Sequence, residues 1–135
     1  MSAAAKETKK TWLLYVDDEV DILHVVKRGL ENEGFNVDVS ANAEDALHQD
    51  FGKYDIIVID IRMPRINGFQ FYEAIKSRID VAKTKICFFT AYATYEEEYQ
   101  KKFPTRNGSY FMIKPMSVKI FAGKLRELLA EINTN

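Results

Sequence analysis

YDIIVID, residues 54–60, holds four consecutive β-branched residues, Ile56-Ile57-Val58-Ile59, and stops at an aspartate. Consecutive β-branched residues are typical of a strand buried on both faces, as in a parallel sheet covered by helices. We therefore predict a strand over residues 54–59, with the acidic side chain of Asp60 directly at its end.

Similar apolar runs lie on both sides of this segment. They are predicted as strands over residues 12–16, 35–39, 85–89 and 110–113. Between and after them, apolar residues recur at helical spacing, and helices are predicted over residues 19–33, 42–51, 94–103 and 117–132, with one more through Phe71, Tyr72, Ile75 and Ile79. A strand followed by a helix, repeated five times, predicts an α/β sandwich built on a parallel sheet.

Local signals support several helix ends. Asn42 and Ser117 are predicted N-caps, and Gly34 stands where a helix-ending glycine belongs. The fourth helix is unusual because its apolar residues are aromatic, with Tyr95 and Tyr99 four residues apart and Phe103 four further on. This stripe packs onto the core in our preferred interpretation; the alternative is a partner or dimer surface.

Composition limits the class of protein. A chain of 135 residues with 47% hydrophobic and 29% charged residues fits one globular domain. Its net charge of -1 argues against non-specific binding to nucleic acid. One cysteine, Cys87, excludes an intramolecular disulfide, and no run is long enough to span a membrane, which favours a cytoplasmic protein. We expect a flexible segment over residues 1–10, a folded domain over residues 11–133 and no output domain.

Acidic side chains follow two of the predicted strands. Asp17 and Asp18 come directly after the first strand, and Asp60 follows the third. Because the carboxyl ends of parallel strands meet at one edge of a sheet, the three carboxylates are expected to lie together. Clustered carboxylates repel one another unless a cation intervenes, and Mg²⁺ prefers such oxygen ligands. The alternative is that the first two acids merely end a strand and cap the next helix.

A hydroxyl and an ammonium group are predicted at the same edge. Thr90 ends the fourth strand, and Lys114 follows the fifth. Beside a metal-bound carboxylate, the lysine would neutralise phosphate oxygens and the hydroxyl would donate a hydrogen bond. Together with the three acids they predict a phosphoryl site.

These residues, in this order, match a known family. The chain resembles the receiver domain of two-component response regulators, such as the single-domain chemotaxis regulators. The resemblance covers roughly residues 10–132 and is carried by Asp17-Asp18, by the DIRMPRING segment of residues 60–68, by Thr90-Ala91 and by Lys114-Pro115. It implies a doubly wound, flavodoxin-like fold with strand order 2-1-3-4-5 and five helices.

The resemblance also implies a role for each site residue. Asp60 would take a phosphoryl group from a sensor histidine kinase or a histidine phosphotransfer protein. Mg²⁺, with Mn²⁺ able to substitute, would be held by Asp18, by Asp17 directly or through water, by Asp60 and by the backbone carbonyl of Arg62. Beyond self-phosphorylation and autodephosphorylation, no enzymatic activity is expected.

The resemblance further implies a conformational switch that responds to phosphorylation. Thr90 and Lys114 would contact the phosphoryl oxygens, and Phe111, three residues before the lysine, would be the switch aromatic. A counting error of one would give that role to Tyr110. The expected readout is the surface of helix four, strand five and helix five, through which a homodimer is also expected. No direct contact with nucleic acid or membrane is expected, and the downstream protein target stays open.

Two residues that flank the predicted phosphoryl site have large side chains. Arg62 and Tyr92 lie two residues after Asp60 and Thr90, at positions that in the family tune hydrolysis of the acyl phosphate. A large basic and a large aromatic side chain would shield the phosphoryl group from water. Slow autodephosphorylation is therefore predicted.

Two other classes of protein compete with a phosphorylated receiver. A Mg²⁺-dependent phosphohydrolase or nucleotidyl-transfer domain also gathers acids at strand ends, but several of these need a second acid where this chain has Arg62. The third hypothesis is a receiver-like binding module that is never phosphorylated. His24 and His48 are interpreted as surface residues, and Cys87 as an unreactive core residue.

Overall fold

The computed structural model describes residues 10–105 and 109–131. The predicted flexible segment lies outside them except for Lys10, as does Ile132 of the last helix. The strands are β1 Trp12–Val16, β2 Asn36–Ser40, β3 Ile56–Ile59, β4 Lys85–Thr90 and β5 Ser109–Ile113. The helices are α1 Val20–Asn32, α2 Ala43–Ala46, α3 Gly68–Ile75, α4 Glu96–Lys102 and α5 Val118–Ala130.

All five strands form one parallel sheet in the order β2-β1-β3-β4-β5. This confirms the predicted flavodoxin-like topology with its five helices. The sheet is buried on both faces, since every residue of β3 and β4 is buried. The apolar run of residues 56–59 therefore forms a central strand, as its composition predicts.

The side chains of alternate strand residues pack into two separate hydrophobic cores, one on each face of the sheet. One core holds Leu13, Val58 and Met112 from the strands under α1 and α5. The other holds Leu14, Ile57 and Phe88 under the remaining helices. Successive strand residues point to opposite faces of the sheet. The position of a residue at a strand end therefore decides on which face its side chain lies.

Capping fixes where the helices begin. Asn42 accepts a hydrogen bond from the backbone N–H of Asp45 at 2.7 Å, and Ser117 accepts one from Ile120 at 3.2 Å, so both predicted N-caps are confirmed. Gly34 has a φ of 102°, the left-handed conformation expected of a glycine that ends a helix.

The second helix is shorter than predicted, ending at Ala46 rather than extending to residue 51. The guanidinium of Arg78 donates to the carbonyl oxygens of Leu47 and Gln49, at 2.8 and 3.2 Å. Those carbonyls therefore do not need helical partners. A 3₁₀ turn then forms over Phe51–Lys53, capped by Asp50.

The aromatic stripe of α4 packs onto the core, which confirms the preferred interpretation. Tyr99 is buried, and its ring centroid lies 6.0 Å from that of Phe88 and 5.3 Å from that of Phe103. The Tyr99 hydroxyl shares a buried hydrogen bond of 2.8 Å with the hydroxyl of Ser109 on β5. The helix is shorter than predicted at its start, because Ala93–Tyr95 forms a 3₁₀ turn.

The chain's single tryptophan, Trp12, begins β1. Its backbone N–H donates to Asp55 at 2.9 Å, and the Lys53 ammonium lies 4.1 Å from its ring centroid. Trp12 therefore lies at the amino end of β1, opposite the end at which Asp17 follows the strand.

Candidate phosphoryl and metal site

Backbone hydrogen bonds continue the sheet pairing past three strand ends. The donor–acceptor pairs are Asp17 N–H to Ser40, Asp60 N–H to Val16, and Lys114 N–H to Thr90, at 3.1, 2.9 and 2.8 Å. The sheet itself therefore fixes the main chain of the predicted site residues. Their side chains meet at the carboxyl edge, where the topology predicts ligand binding.

The structure brings the three predicted acids together. One carboxylate oxygen from each of Asp17, Asp18 and Asp60 lies within 4.8 Å of the others. Asp17 and Asp60 are buried, whereas Asp18 is half-buried. Burial, opposed by Lys114 and reinforced by the two neighbouring aspartates, raises the pKa of Asp60 to about 7. A cluster of this kind is short of positive charge.

Hydrogen bonds hold both oxygens of Asp17. Oδ1 accepts from the backbone N–H of Glu19 at 2.9 Å. Oδ2 accepts from the Tyr15 hydroxyl at 2.6 Å and from the Lys114 ammonium at 2.5 Å. Burial and the nearby Asp17 carboxylate raise the pKa of Tyr15, so its hydroxyl stays protonated and donates.

Tyr15 was missed by the sequence reasoning. It stands two residues before Asp17 in a strand, and that spacing puts both side chains on the same face of the sheet. A polar hydroxyl in an otherwise apolar strand, two residues from an acid, was the available signal.

Lys114 pairs mainly with Asp17 in this structure. Its Nζ lies 3.8 Å from Asp60 Oδ2 and 3.9 Å from Glu19 Oε1, against 2.5 Å to Asp17 Oδ2. The ammonium is therefore within reach of Asp60, yet it is bonded to the neighbouring acid. The peptide bond between Lys114 and Pro115 is cis.

The loop between Asp60 and α3 is tightly packed. A Cβ added to Gly68 would lie 2.6 Å from the carbonyl oxygen of Asp60 and 2.8 Å from Cα of Ile61. The Gly68 N–H donates to the Ile61 carbonyl at 2.8 Å. Asn67 and Gln70 form a reciprocal capping box at the start of α3. Only glycine lets the helix start this close to Asp60.

Arg62 and Tyr92 lie over the same cleft. The Arg62 guanidinium carbon is 4.5 Å from the Tyr92 ring centroid, a cation–π distance. The cleft, of about 590 Å³, is lined by Asp18, Glu19, Asp60, Arg62, Met63, Pro64, Ala91, Tyr92 and Lys114.

Sheet register settles which aromatic shares a face with Thr90. Phe111 pairs with Phe88, two residues before Thr90, so Phe111 and Thr90 lie on one face. Tyr110 pairs with Cys87 and packs with the opposite core. The Thr90 hydroxyl, fully buried, accepts a hydrogen bond from the Tyr92 N–H at 3.2 Å.

The residues outside the site behave as predicted. His24 and His48 are exposed. Cys87 is a buried free thiol, and burial raises its pKa above the ordinary value. It is therefore unreactive.

The donor set fits a hard divalent cation. Two buried carboxylates and a half-buried third supply oxygen ligands, and the raised pKa of Asp60 shows that Lys114 alone does not neutralise them. Mg²⁺ takes such oxygens while keeping several waters, and the open cleft leaves room for those waters.

A family model described as the response regulator receiver domain matches residues 13–126. The chain belongs to that family. Receiver domains are the phosphorylation-controlled switches of two-component signalling rather than enzymes in the ordinary sense, and they bind Mg²⁺ at an acidic pocket. These likenesses favour neither the phosphohydrolase nor the unphosphorylated binding module. None of the helices in residues 10–105 and 109–131 has the length and apolar character needed to cross a bilayer.

Individual relatives agree with the family. The transcriptional regulatory protein SpaR of Bacillus subtilis is 33% identical over 123 residues, which is 91% of this chain and 50% of SpaR. The chain thus spans about half the length of the curated relatives it matches.

Solved structures of receiver domains are similar to this chain. The response regulator TrrA of Thermotoga maritima, in complex with Mg²⁺ and beryllium fluoride, is 28% identical with a TM-score of 0.74, over 87% of this chain and 98% of TrrA. A CheY-like receiver domain protein of Methanospirillum hungatei is 27% identical with a TM-score of 0.74, over 90% of this chain and 94% of that protein.

Proposed function

We propose that this receiver domain accepts a phosphoryl group on Asp60 from a phosphohistidine of a sensor kinase or phosphotransfer protein. The observation that carries the proposal is the meeting of Asp60 with two further carboxylates, within 4.8 Å, and with the Lys114 ammonium 3.8 Å away. An Asp60 oxygen attacks phosphorus, the phosphorus–nitrogen bond breaks, and the imidazole leaves. The transition state is loose, so positioning and charge do most of the work.

The clustered carboxylates and membership of the receiver family support the following metal ligands. We assign Asp18, Asp60 and the backbone carbonyl of Arg62 as direct ligands of Mg²⁺. Asp17 acts through water, because both of its oxygens already accept hydrogen bonds. When bound, the ion neutralises charge on the phosphoryl oxygens, and Mn²⁺ is expected to substitute.

Thr90 and Phe111 form the switch in this proposal. The Thr90 hydroxyl accepts from the Tyr92 N–H and keeps its own proton free to donate to a phosphoryl oxygen. Movement of Thr90 toward the phosphoryl group leaves space on the face that Phe111 shares. The Phe111 ring is half-buried, with its centroid 5.4 Å from that of Tyr99 on α4.

The output surface is a groove of about 780 Å³ between α4, β5 and α5, and Tyr99 and Phe111 both line it. A change at Phe111 therefore alters the shape of the groove. We propose it as the surface for the downstream protein and for homodimerisation. A cytoplasmic location agrees with the phosphohistidine donor and the free thiol of Cys87.

Arg62 and Tyr92 are proposed to slow hydrolysis of the acyl phosphate. Their cation–π pair covers the cleft above Asp60 and hinders the approach of water. Replacing either residue with alanine should shorten the phosphoryl lifetime severalfold, measured by loss of the phosphorylated mass over time. A lifetime of only seconds in the unaltered protein, unchanged by the substitutions, would refute this role.

Phosphorylation by acetyl phosphate tests the proposal directly. Incubation with Mg²⁺ should add one phosphoryl group to the intact mass, and Asp60→Asn should abolish the addition. Asp38→Asn is the control, because it removes a carboxylate on β2 that accepts a hydrogen bond from Tyr54. This variant should still gain one phosphoryl group. Multiple turnover of the phosphate donor would indicate a phosphohydrolase, and no addition at any Mg²⁺ concentration would indicate a binding module.

A further inference from the structure

The Tyr15 hydroxyl and the Lys114 ammonium share one acceptor oxygen. Both donate to Oδ2 of Asp17, at 2.6 and 2.5 Å, while Oδ1 is held by the Glu19 N–H. Asp17 and Tyr15 are both fully buried. Buried carboxylate oxygens need a donor, and Oδ2 has two where one suffices.

A phosphoryl group on Asp60 changes what Lys114 meets. The ammonium lies 3.8 Å from Asp60 Oδ2, so oxygens added to that carboxylate fall within its reach. An ammonium that turns toward them loosens its bond to Asp17. Without a second donor, Oδ2 would then be a buried anionic oxygen with no partner, which is costly.

We propose that Tyr15 is a positioning residue whose hydroxyl keeps Asp17 satisfied while Lys114 turns to the phosphoryl group. Tyr15 acts through Asp17 and does not touch the phosphoryl group. Its ring is fixed in the core beneath α1 and α5, so the hydroxyl stays in place when the lysine moves. This inference rests on the proposed phosphorylation of Asp60.

Tyr15→Phe removes the second donor and keeps the ring. Lys114 then becomes the sole donor to Oδ2, and any phosphoryl analogue must break that ion pair. At saturating Mg²⁺, the affinity for beryllium fluoride should fall about tenfold, the typical effect of one hydrogen bond to a charged group. The affinity for Mg²⁺ alone should change by less than about threefold, because Lys114 stays on Asp17 in that state.

Tyr54→Phe is the matched control. The Tyr54 hydroxyl also donates to an aspartate, Asp38 at 2.7 Å, and its ring is equally buried, but Asp38 is not one of the three clustered acids. Its loss should leave both affinities unchanged. In a Lys114→Ala background, Tyr15→Phe should have no further effect on beryllium fluoride binding, since no lysine remains to be released.

Titration calorimetry on the full chain separates the outcomes. A loss confined to beryllium fluoride supports the inference; equal losses for Mg²⁺ and beryllium fluoride, or no loss, overturn it. If the unaltered protein does not bind beryllium fluoride with Mg²⁺, the proposed function itself fails.

A second measurement needs no variant. By NMR, the Tyr15 hydroxyl proton should stay protected from exchange when beryllium fluoride is added to the unaltered protein. Loss of that protection would also overturn the inference, and this test holds even if Tyr15→Phe does not fold.

Discussion

Replacing Asp60 with asparagine is expected to stabilise the metal-free protein at neutral pH. The Asp60 carboxylate is buried beside two other acids, and its pKa is raised from 3.8 to about 7. The unfolded chain loses the Asp60 proton near pH 4, whereas the folded chain keeps it to about pH 7. Folding therefore becomes less favourable as pH rises through this window, and asparagine removes the effect.

The magnitude follows from the pKa. A tenfold change in proton affinity is worth about 1.4 kcal/mol, so the full effect above pH 7 is about 4 kcal/mol. Relaxation around Lys114 reduces it, and we expect Asp60→Asn to gain roughly 2 kcal/mol at pH 8. At pH 5 the gain should be much smaller, because folded Asp60 is then protonated.

Urea unfolding in EDTA at pH 5 and pH 8 measures this gain. Asp38→Asn is the control of opposite sign, because hydrogen bonds from Lys53 and Tyr54 lower the pKa of Asp38. Asp38 contributes stability that is lost as pH falls, so its replacement should destabilise the protein at pH 8. Adding Mg²⁺ should stabilise the unaltered protein more than Asp60→Asn, since the ion binds the folded state.

A free energy of unfolding for Asp60→Asn at or below that of the unaltered protein at pH 8, without metal, would refute the reasoning. So would a gain that is the same at pH 5 and pH 8. Either result would mean that the acidic cluster is not short of positive charge in the folded state.

Three further substitutions test how the chain packs. Gly68→Ala should cost at least 2 kcal/mol, roughly, and slow phosphorylation, because its Cβ would meet the backbone of Asp60 at 2.6 Å. Gly123→Ala in α5, where a Cβ meets nothing within 4 Å, should instead stabilise by about 0.5–1 kcal/mol; equal effects in urea unfolding would contradict the packing. Tyr99→Phe should cost about 1 kcal/mol by losing its bond to Ser109, and an unchanged midpoint would count against that bond.

The sheet and the positions of the acids were predictable because both depend on local pattern. Continuous apolar runs mark buried strands, and the topology then places Asp17 and Asp60 at one edge. Phe111 was placed by counting back from Lys114, and the register confirms that it, not Tyr110, shares the face of Thr90.

Contacts between distant residues were not predictable. α2 ends early because Arg78, about thirty residues later in the chain, occupies the carbonyl groups of Leu47 and Gln49. The pairing of Lys114 with Asp17 rather than Asp60 likewise depends on a contact across 97 positions. No periodicity in the sequence encodes either bond.

The location of Trp12 makes the protein's own fluorescence a selective probe. Trp12 begins β1, and the acidic cluster begins at Asp17, just past the other end of that strand and about 17 Å away at the usual rise per residue. Emission from this indole, which lies under the Lys53 ammonium, will report loss of the sheet during denaturation and will respond little to ions at the cleft. Folding and ligand occupancy can therefore be followed by independent signals in a single sample.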